Sequence, residues 1–339
     1  MTRGQNDVAP LALVVYDRSS DIIRKGNTDH KTMEQLQHEP MEPFQHYRPL
    51  LFSIAYRMTG SASQAEDLVQ DTYLRYHQAD TAAVQSPKSY LTKIVTNLSL
   101  NYLQSARVQR EEYIGIWLPE PVLTACSDEE ELEAQFEQQE SVSTAFLFLL
   151  ETVTPPERAV FLFHEVFDYS FEEIAELLGK SPANCRQLFH RAKSHLTDKR
   201  HRVTIEPENQ RQLLELFVTA CQSGNLGALT QLLASDVTAW ADGGGKVRAG
   251  LLPVSGQETV ARLFFQLWRK VPANHTLFIE EVNGAPALLS WSSSQLNWAL
   301  TLDIHDHVIV GLYSMLNPDK LAFLQRQLEE RQGQQEYNT

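Results

Sequence analysis

The chain has 339 residues, is 42% hydrophobic and carries a formal net charge of −14. That length predicts two or three domains with real cores, and no apolar run approaches the roughly 20 residues of a membrane span. The acidic balance excludes a chain that holds DNA through net charge alone, because non-specific affinity comes from neutralising phosphates.

Charge is local, however. Lys180, Arg186, Arg191, Lys193, Lys199, Arg200 and Arg202 face only Asp198 in their stretch, whereas Asp128 to Glu140 holds seven carboxylates and nothing basic. A basic module therefore sits beside an acidic, solvated tether. Cys126, Cys185 and Cys221 are far apart without CxxC spacing, so neither a metal knuckle nor a disulfide framework is expected, and a reducing cytoplasm fits best. Leu11–Tyr16 is short, lacks a basic segment before it and runs into Asp17, which does not make a secretory signal.

Residues 1–41 read as an extension without amphipathic period. Met33 and Met41 both precede domain-like sequence, and the natural start is expected at one of them. The first domain is read as 42–112. Leu50, Leu51, Ile54, Ala55 and Met58 form a helical stripe stopped by Gly60. Ser63 with Glu66 predicts a capping box for a second helix, burying Ala65, Leu68, Val69, Thr72, Tyr73 and Tyr76 and exposing Glu66, Asp67, Gln70 and Asp71. Ser86-Pro87 opens a third helix with Leu91, Ile94, Val95, Leu98 and Tyr102 inward. On it and just beyond, Lys88, Lys93, Arg107 and Arg110 suit phosphate, Tyr90 suits base stacking, and Asn97 and Asn101 suit an extruded base. Tyr102 shares the apolar stripe and is assigned to the core.

Residues 113–135 form a linker, where Trp117-Leu118-Pro119-Glu120-Pro121 must run extended. The second domain is read as 136–202. Thr154-Pro155-Pro156-Glu157 and Ser170-Phe171-Glu172-Glu173 are capping boxes. Phe171, Ile174, Ala175 and Leu178 line one helix, ended by Gly179. Ser181-Pro182 starts the next, which buries Cys185, Leu188, Phe189, Ala192 and Leu196. This is helix-turn-helix grammar. Arg186, Gln187, His190, Arg191 and Lys193 then face outward with Asn184, Arg and Gln being readers of base edges. Ser181 at the helix start is placed for a phosphate.

The third domain is read as 208–321, with a polar tail at 322–339 expected to be an exposed helix or disordered. A helix around Leu213–Val218 and one at Val260–Trp268 accompany strands at Val237–Ala241, Leu277–Val282, Ala287–Ser292, Trp298–Ile304 and Val308–Met315. Val247–Ala249 is a further expected strand, paired through an Asp242-Gly243-Gly244-Gly245 hairpin. The expected fold is helices on a curved antiparallel sheet.

Three stretches carry a resemblance. Ala65–Tyr73 resembles the polymerase-binding helix of extracytoplasmic-function (ECF) sigma factors, Ser86–Leu91 onward their promoter-melting helix, and Thr154–Leu196 their C-terminal promoter-reading domain. Trp117–Pro121, Asp242–Lys246 and Asn317-Pro318-Asp319-Lys320-Leu321 resemble three signatures of one subgroup with a fused SnoaL-like domain of the nuclear-transport-factor-2 (NTF2)-like fold. The fold class implied is multidomain: two all-α sigma domains and a C-terminal α+β domain.

The resemblance implies a transcription initiation factor, not an enzyme, without cofactor. Its partners are promoter DNA and core RNA polymerase, through the β′ clamp helices and the β flap. It places the β′ contact on Glu66, Asp67, Gln70 and Asp71. The first domain would open the minus-ten element and the second read the minus-thirty-five element. The fused domain modulates activity in that subgroup, and a small-molecule or protein ligand for it stays open. Trp117, Pro119, Asp242, Gly243, Gly244, Asn317, Asp319 and Lys320 are expected to form one contact set fixing the third domain against the others. Two other readings remain: a ligand-sensing helix-turn-helix regulator, and an enzyme using Asp303, His305 and His307 for a metal or protons. Against the enzyme, Asp306-His307 reads as a turn between strands.

Overall fold

The computed structural model describes residues 41–79, 84, 86–124, 143–197 and 207–337. The extension before Met41, the acidic run from Asp128 to Glu140 and the basic residues Lys199, Arg200 and Arg202 lie outside the described residues.

The first domain is three helices: α1 (Met41–Thr59), α2 (Ala62–Gln78) and α3 (Pro87–Glu111). Gly60 ends α1 with φ +67°, a conformation a side chain disfavours. Leu51, Ile54, Ala55 and Met58 of α1 meet Ala65, Leu68 and Val69 of α2 and Leu91, Val95 and Leu98 of α3 in one core. One expected detail differs. Ser61 caps α2, its Oγ accepting from Gln64 N at 3.2 Å, and Ser63 with Glu66 makes no capping box. The turn at Gly60 leaves Ser61 extended, the conformation a cap requires.

The second domain is α4 (Thr144–Leu150), α5 (Pro155–Glu165), α6 (Phe171–Leu178) and α7 (Pro182–Thr197). The Thr154 and Ser170 capping boxes are present, and Gly179 turns the chain left-handed between α6 and α7. The two domains are not beads on a string. Their apolar residues belong to one continuous core, with α3 against α5 and α6 and α1 against α5. Arg158 of α5 donates to Met58 O at 2.6 Å and pairs with Glu151 at 2.8 Å. Arg57 of α1 lies over the Phe167 ring at 5.6 Å. Burial draws Arg57 down to about 10 and Arg158 to about 9, so both stay charged at neutral pH.

The third domain packs α8 (Pro207–Ser223), α9 (Leu226–Leu232) and α10 (Gln257–Trp268) against a six-stranded sheet. Its strands are β1 (Leu233–Asp242), β2 (Val254–Ser255), β3 (Thr276–Val282), β4 (Ala285–Ser292), β5 (Gln295–His305) and β6 (Val308–Met315), in the order β2-β1-β6-β5-β4-β3. The sheet is mixed rather than antiparallel, because β1 pairs with β6 in parallel. Nor is the glycine segment a hairpin. With β6 on one side of β1 and β2 on the other, Val247–Ala249 finds no ladder, and Val247 stays exposed. Gly243–Lys246 forms a tight turn instead, Lys246 N donating to Gly243 O at 2.9 Å.

Both sheet faces are covered. Leu277, Leu288, Leu300, Leu302 and Leu312 face α8–α10. Leu289, Ala299, Tyr313 and Met315 face the linker and a last helix, α11 (Pro318–Tyr337). The expected polar tail is therefore mostly a docked helix. Leu321, Leu324 and Leu328 are buried on the sheet, and Phe323 stacks on Phe52 of α1 at 5.9 Å. Three leucines at helical spacing, with Phe323 on another face of the helix, stand among glutamines and glutamates.

Candidate nucleic-acid interface and the junction beside it

The outer face of α7 carries Ser181, Asn184, Arg186, Gln187, His190, Arg191 and Lys193, all exposed. Cys185, Phe189, Ala192 and Leu196 fix its other face in the core. Ser181 Oγ accepts from Asn184 N at 3.3 Å. Two cations are already oriented by neighbouring helices: Arg186 pairs with Glu172 at 2.8 Å and lies 5.6 Å over the Phe171 ring, and Lys193 pairs with Glu165 at 3.1 Å. Exposed pairs of this kind contribute at most about 1 kcal/mol, so a phosphate or guanine edge can displace them. The hydrogen bonds from Ser170, helped by Lys88, hold the Glu173 carboxyl below its usual range.

On α3, Lys88, Lys93, Asn97 and Asn101 are exposed, and the last three share one helical stripe. Tyr90 is half-buried, its ring 6.3 Å from that of Tyr76, and Tyr102 packs partly on the core. The Arg107 and Arg110 side chains lie outside the described residues.

On α2, Asp67, Gln70 and Asp71 are exposed beside Leu74. Glu66 differs: it pairs with Arg326 of α11 at 2.5 Å. The last helix thus reaches one end of this acidic face.

The linker joins all three domains. Asp242, fully buried, accepts from Leu118 N at 2.8 Å, Tyr113 Oη at 2.5 Å, Gly244 N at 3.0 Å and Lys320 Nζ at 2.7 Å. Lys320 also donates to Leu118 O at 2.6 Å and lies 4.1 Å from the Trp117 ring centre. Asn317 donates to Tyr113 Oη at 3.0 Å, and Asp319 pairs with Lys246. A Cβ on Gly60 would lie 2.7 Å from Trp117 and 3.7 Å from Pro119. On Gly243 it would meet Val247 O at 2.2 Å, and on Gly244 Asn317 Nδ2 at 2.2 Å. The fold thus brings Trp117, Pro119, Asp242, Gly243, Gly244, Asn317 and Lys320 together, with Asp319 at the rim.

Sequence reasoning missed three participants. Glu120, 7% exposed, caps the α2 start: its carboxylate accepts from Ser61 Oγ at 2.7 Å and Ser63 N at 2.9 Å. Tyr113, at the start of the linker, carries no local signal of its bond to Asp242. Asn283, in the β3–β4 turn, bonds to Tyr56, Val122 and Thr144. The Asn-Gly pair there is a hairpin signal, but nothing local indicates what the turn docks into. A further aromatic contact joins α4 to the sheet: Phe148 meets Trp240 at 5.7 Å and Tyr313 at 5.9 Å.

Asp303 and His305 pair with each other at 2.8 Å, while His307 sits exposed in the β5–β6 turn with φ +61°. Among the described residues no three His, Cys, Asp or Glu side chains are grouped to hold a metal. No described helix is long and apolar enough to cross a membrane.

The sigma-70 region 2 family model matches residues 43–108, the three-helix domain, and the sigma-70 region 4 model matches 143–196, the helix-turn-helix domain. The ECF RNA polymerase sigma factor SigJ of Mycobacterium tuberculosis is 32% identical over 302 residues, 86% of this chain and 95% of that protein. A probable ECF RNA polymerase sigma factor, SigI of the same species, is 29% identical over 86% of this chain and 98% of its own length. The crystal structure of M. tuberculosis SigJ superposes with a TM-score of 0.67 at 29% identity, covering 83% of this chain and 97% of that one. Similarity therefore runs through the helical domains, the junction and the C-terminal sheet together, and the chain belongs to the ECF RNA polymerase sigma factors, the proteins that bind core polymerase and direct it to promoters.

Proposed function

We propose that this sigma factor carries its own regulator: the C-terminal α+β domain restrains the two promoter-binding domains until it is displaced. The observation behind this is the buried Asp242–Lys320 junction, which ties that domain to the linker between them. By this reading α7 reads the minus-thirty-five element through Arg186, Gln187 and their neighbours, and α3 opens the minus-ten element through Asn97, Asn101 and the nearby cations. Asp67, Gln70 and Asp71, with Glu66 once Arg326 lets go, meet a basic surface of polymerase. The net negative charge supports this division of labour, since the free chain holds DNA weakly and gains affinity when polymerase contributes. The factor works in the cytoplasm with that polymerase. Its C-terminal domain is regulatory rather than catalytic.

The test is promoter-specific transcription by core polymerase with the full chain and with Asp242→Asn, on the promoter upstream of its own gene. Transcript that requires the added chain, and more of it with Asp242→Asn, is the expected result. Equal transcript from both proteins removes the restraint, and transcript that does not depend on the chain removes the promoter assignment.

A further inference from the structure

The Asp242–Lys320 junction holds the linker near Leu118. A second attachment, built on the β3–β4 turn, holds both promoter-binding domains at once. Asn283 is 1% exposed and has φ +52°. Its Oδ1 accepts from Val122 N of the linker at 3.0 Å and lies 2.9 Å from Tyr56 Oη of α1. Tyr56 has one proton, shared with Glu120 O at 2.5 Å. Val122 N–H can meet only an acceptor, which fixes the amide orientation. Asn283 Nδ2 therefore points at Thr144 Oγ1, the first residue of α4, at 3.1 Å. The backbone completes the attachment: Asn283 N donates to Val122 O at 2.9 Å and Gly284 N to Thr124 Oγ1 at 2.8 Å.

We propose that the Asn283–Gly284 turn is a latch of the C-terminal domain that pins the region 2 and region 4 domains together, and that its withdrawal is the regulatory step. This rests on the reading of that domain as a restraint, and goes beyond it by naming the moving part. A latch differs from ordinary packing first in its chemistry. The turn docks almost wholly through polar groups, so each bond lost on withdrawal is replaced by water at small net cost. The sheet face beside it is apolar and pays the full hydrophobic penalty on exposure. The turn is thus the part of this interface best suited to reversible release.

The geometry also favours a latch. In this arrangement α3 lies directly against α5 and α6. Elements centred near minus ten and minus thirty-five are separated by about 85 Å of B-DNA, at roughly 3.4 Å per base pair. Helices in contact lie only about 8–10 Å apart. The two domains must part to occupy both elements, and Asn283 bonds to residues on each side of the parting line.

The experiment uses the full chain with labels at Gln78→Cys on α2 and Ser194→Cys on α7, both exposed positions, in a Cys126→Ser background. Asn283→Gly removes the side chain while keeping a residue that accepts positive φ. Thr144→Val, outside the turn, removes only the region 4 bond. Inter-label distances are measured in the free protein, and transcription is measured with core polymerase. Asn283→Gly is expected to shift the distances to longer values and to raise transcription, by roughly fivefold for each net hydrogen bond lost. Thr144→Val is expected to shift both in the same direction by less, and it decides the matter if Asn283→Gly does not fold. Unchanged distances overturn the latch, and longer distances with unchanged transcription overturn its regulatory role. Silence of the wild type and both variants with core polymerase points instead to failure of the promoter assignment.

Discussion

Glu120, in the extended linker, accepts a 2.9 Å hydrogen bond from the backbone N–H of Ser63, in the first turn of α2. A carboxylate there meets the positive end of the helix dipole and satisfies a donor that no intrahelical bond can reach. Ser61 and Ser63 hydroxyls complete the cradle at 2.7 and 3.0 Å. Glu120→Ala leaves those donors unpaired in a nearly buried place, and an unfolding free energy lower by about 1–3 kcal/mol is expected. Glu120→Gln keeps an acceptor and loses less. Denaturant titration of the three proteins checks the order, and equal midpoints would show that the cap is not needed.

Asp242 and Lys320 form the most buried ion pair of the junction, with side chains 0% and 8% exposed. Removing one partner strands the other's charge, so Lys320→Met is expected to destabilise the fold by about 3–5 kcal/mol. Asp242→Asn with Lys320→Met removes both charges and is expected to recover much of that loss. A double-mutant cycle measures the coupling. Additive effects would mean that the pair acts through packing alone.

Much of this molecule was legible in sequence because its signals are local. The capping boxes at Thr154 and Ser170, Gly179 between α6 and α7, and the apolar stripe of α3 each act within a few residues. The junction was partly legible: resemblance grouped Trp117, Asp242, Asn317 and Lys320, while the bonds that join them span up to about 200 positions. The failures are tertiary. Val247–Ala249 alternates like a strand but joins no ladder, since β1 takes its partners from β6 and from β2, both further along the chain. Leu321, Leu324 and Leu328 look too sparse among polar residues to define a buried helix until the outer sheet face is seen to need a cover. Asn283 reads as a turn residue, and its burial depends on where two other domains lie.

Arg326 and Glu66 connect the last helix to the acidic face of α2. The pair is 50% and 29% exposed at its two side chains, so it contributes at most about 1 kcal/mol. Arg326→Ala is expected to raise affinity for core polymerase by up to about fivefold, because Glu66 becomes available without unfolding anything. Phe323→Ala loosens the whole helix from Phe52 and is expected to act more strongly. Affinities measured with labelled core enzyme check the order. Weaker binding by Arg326→Ala would mean that α11 helps to present the face.

Glu173 closes the α6 capping box, accepting from Ser170 N at 2.8 Å and Ser170 Oγ at 2.7 Å. Its pKa is depressed in the fold, so its contribution is present above the unfolded value, near 4.5, and is lost as pH falls through the folded value. Glu173→Gln should flatten the acid limb of the stability curve. Hydrogen exchange at α6 amides across that range checks it, and identical acid limbs would remove the assignment.

The recognition helix yields the sharpest distinction between readers and anchors. Glu172 and the Phe171 ring hold Arg186 from the preceding helix, so the guanidinium is presented in one orientation. A planar fork can take the two acceptors of a guanine edge together, which lysine cannot. Arg186→Ala is therefore expected to cost about 1–3 kcal/mol in promoter complex formation and to relax preference at one base pair, with Arg186→Lys failing to restore that preference. Lys193 is a point charge on the same helix, paired with Glu165 and lying 5.4 Å from the Phe189 ring centre. Lys193→Ala should weaken binding evenly across sequences and reduce the salt slope by about 1. Promoter libraries bound by the holoenzyme at two salt concentrations separate the two behaviours. A uniform loss for Arg186→Ala would make it an anchor, leaving Gln187 as the candidate base reader.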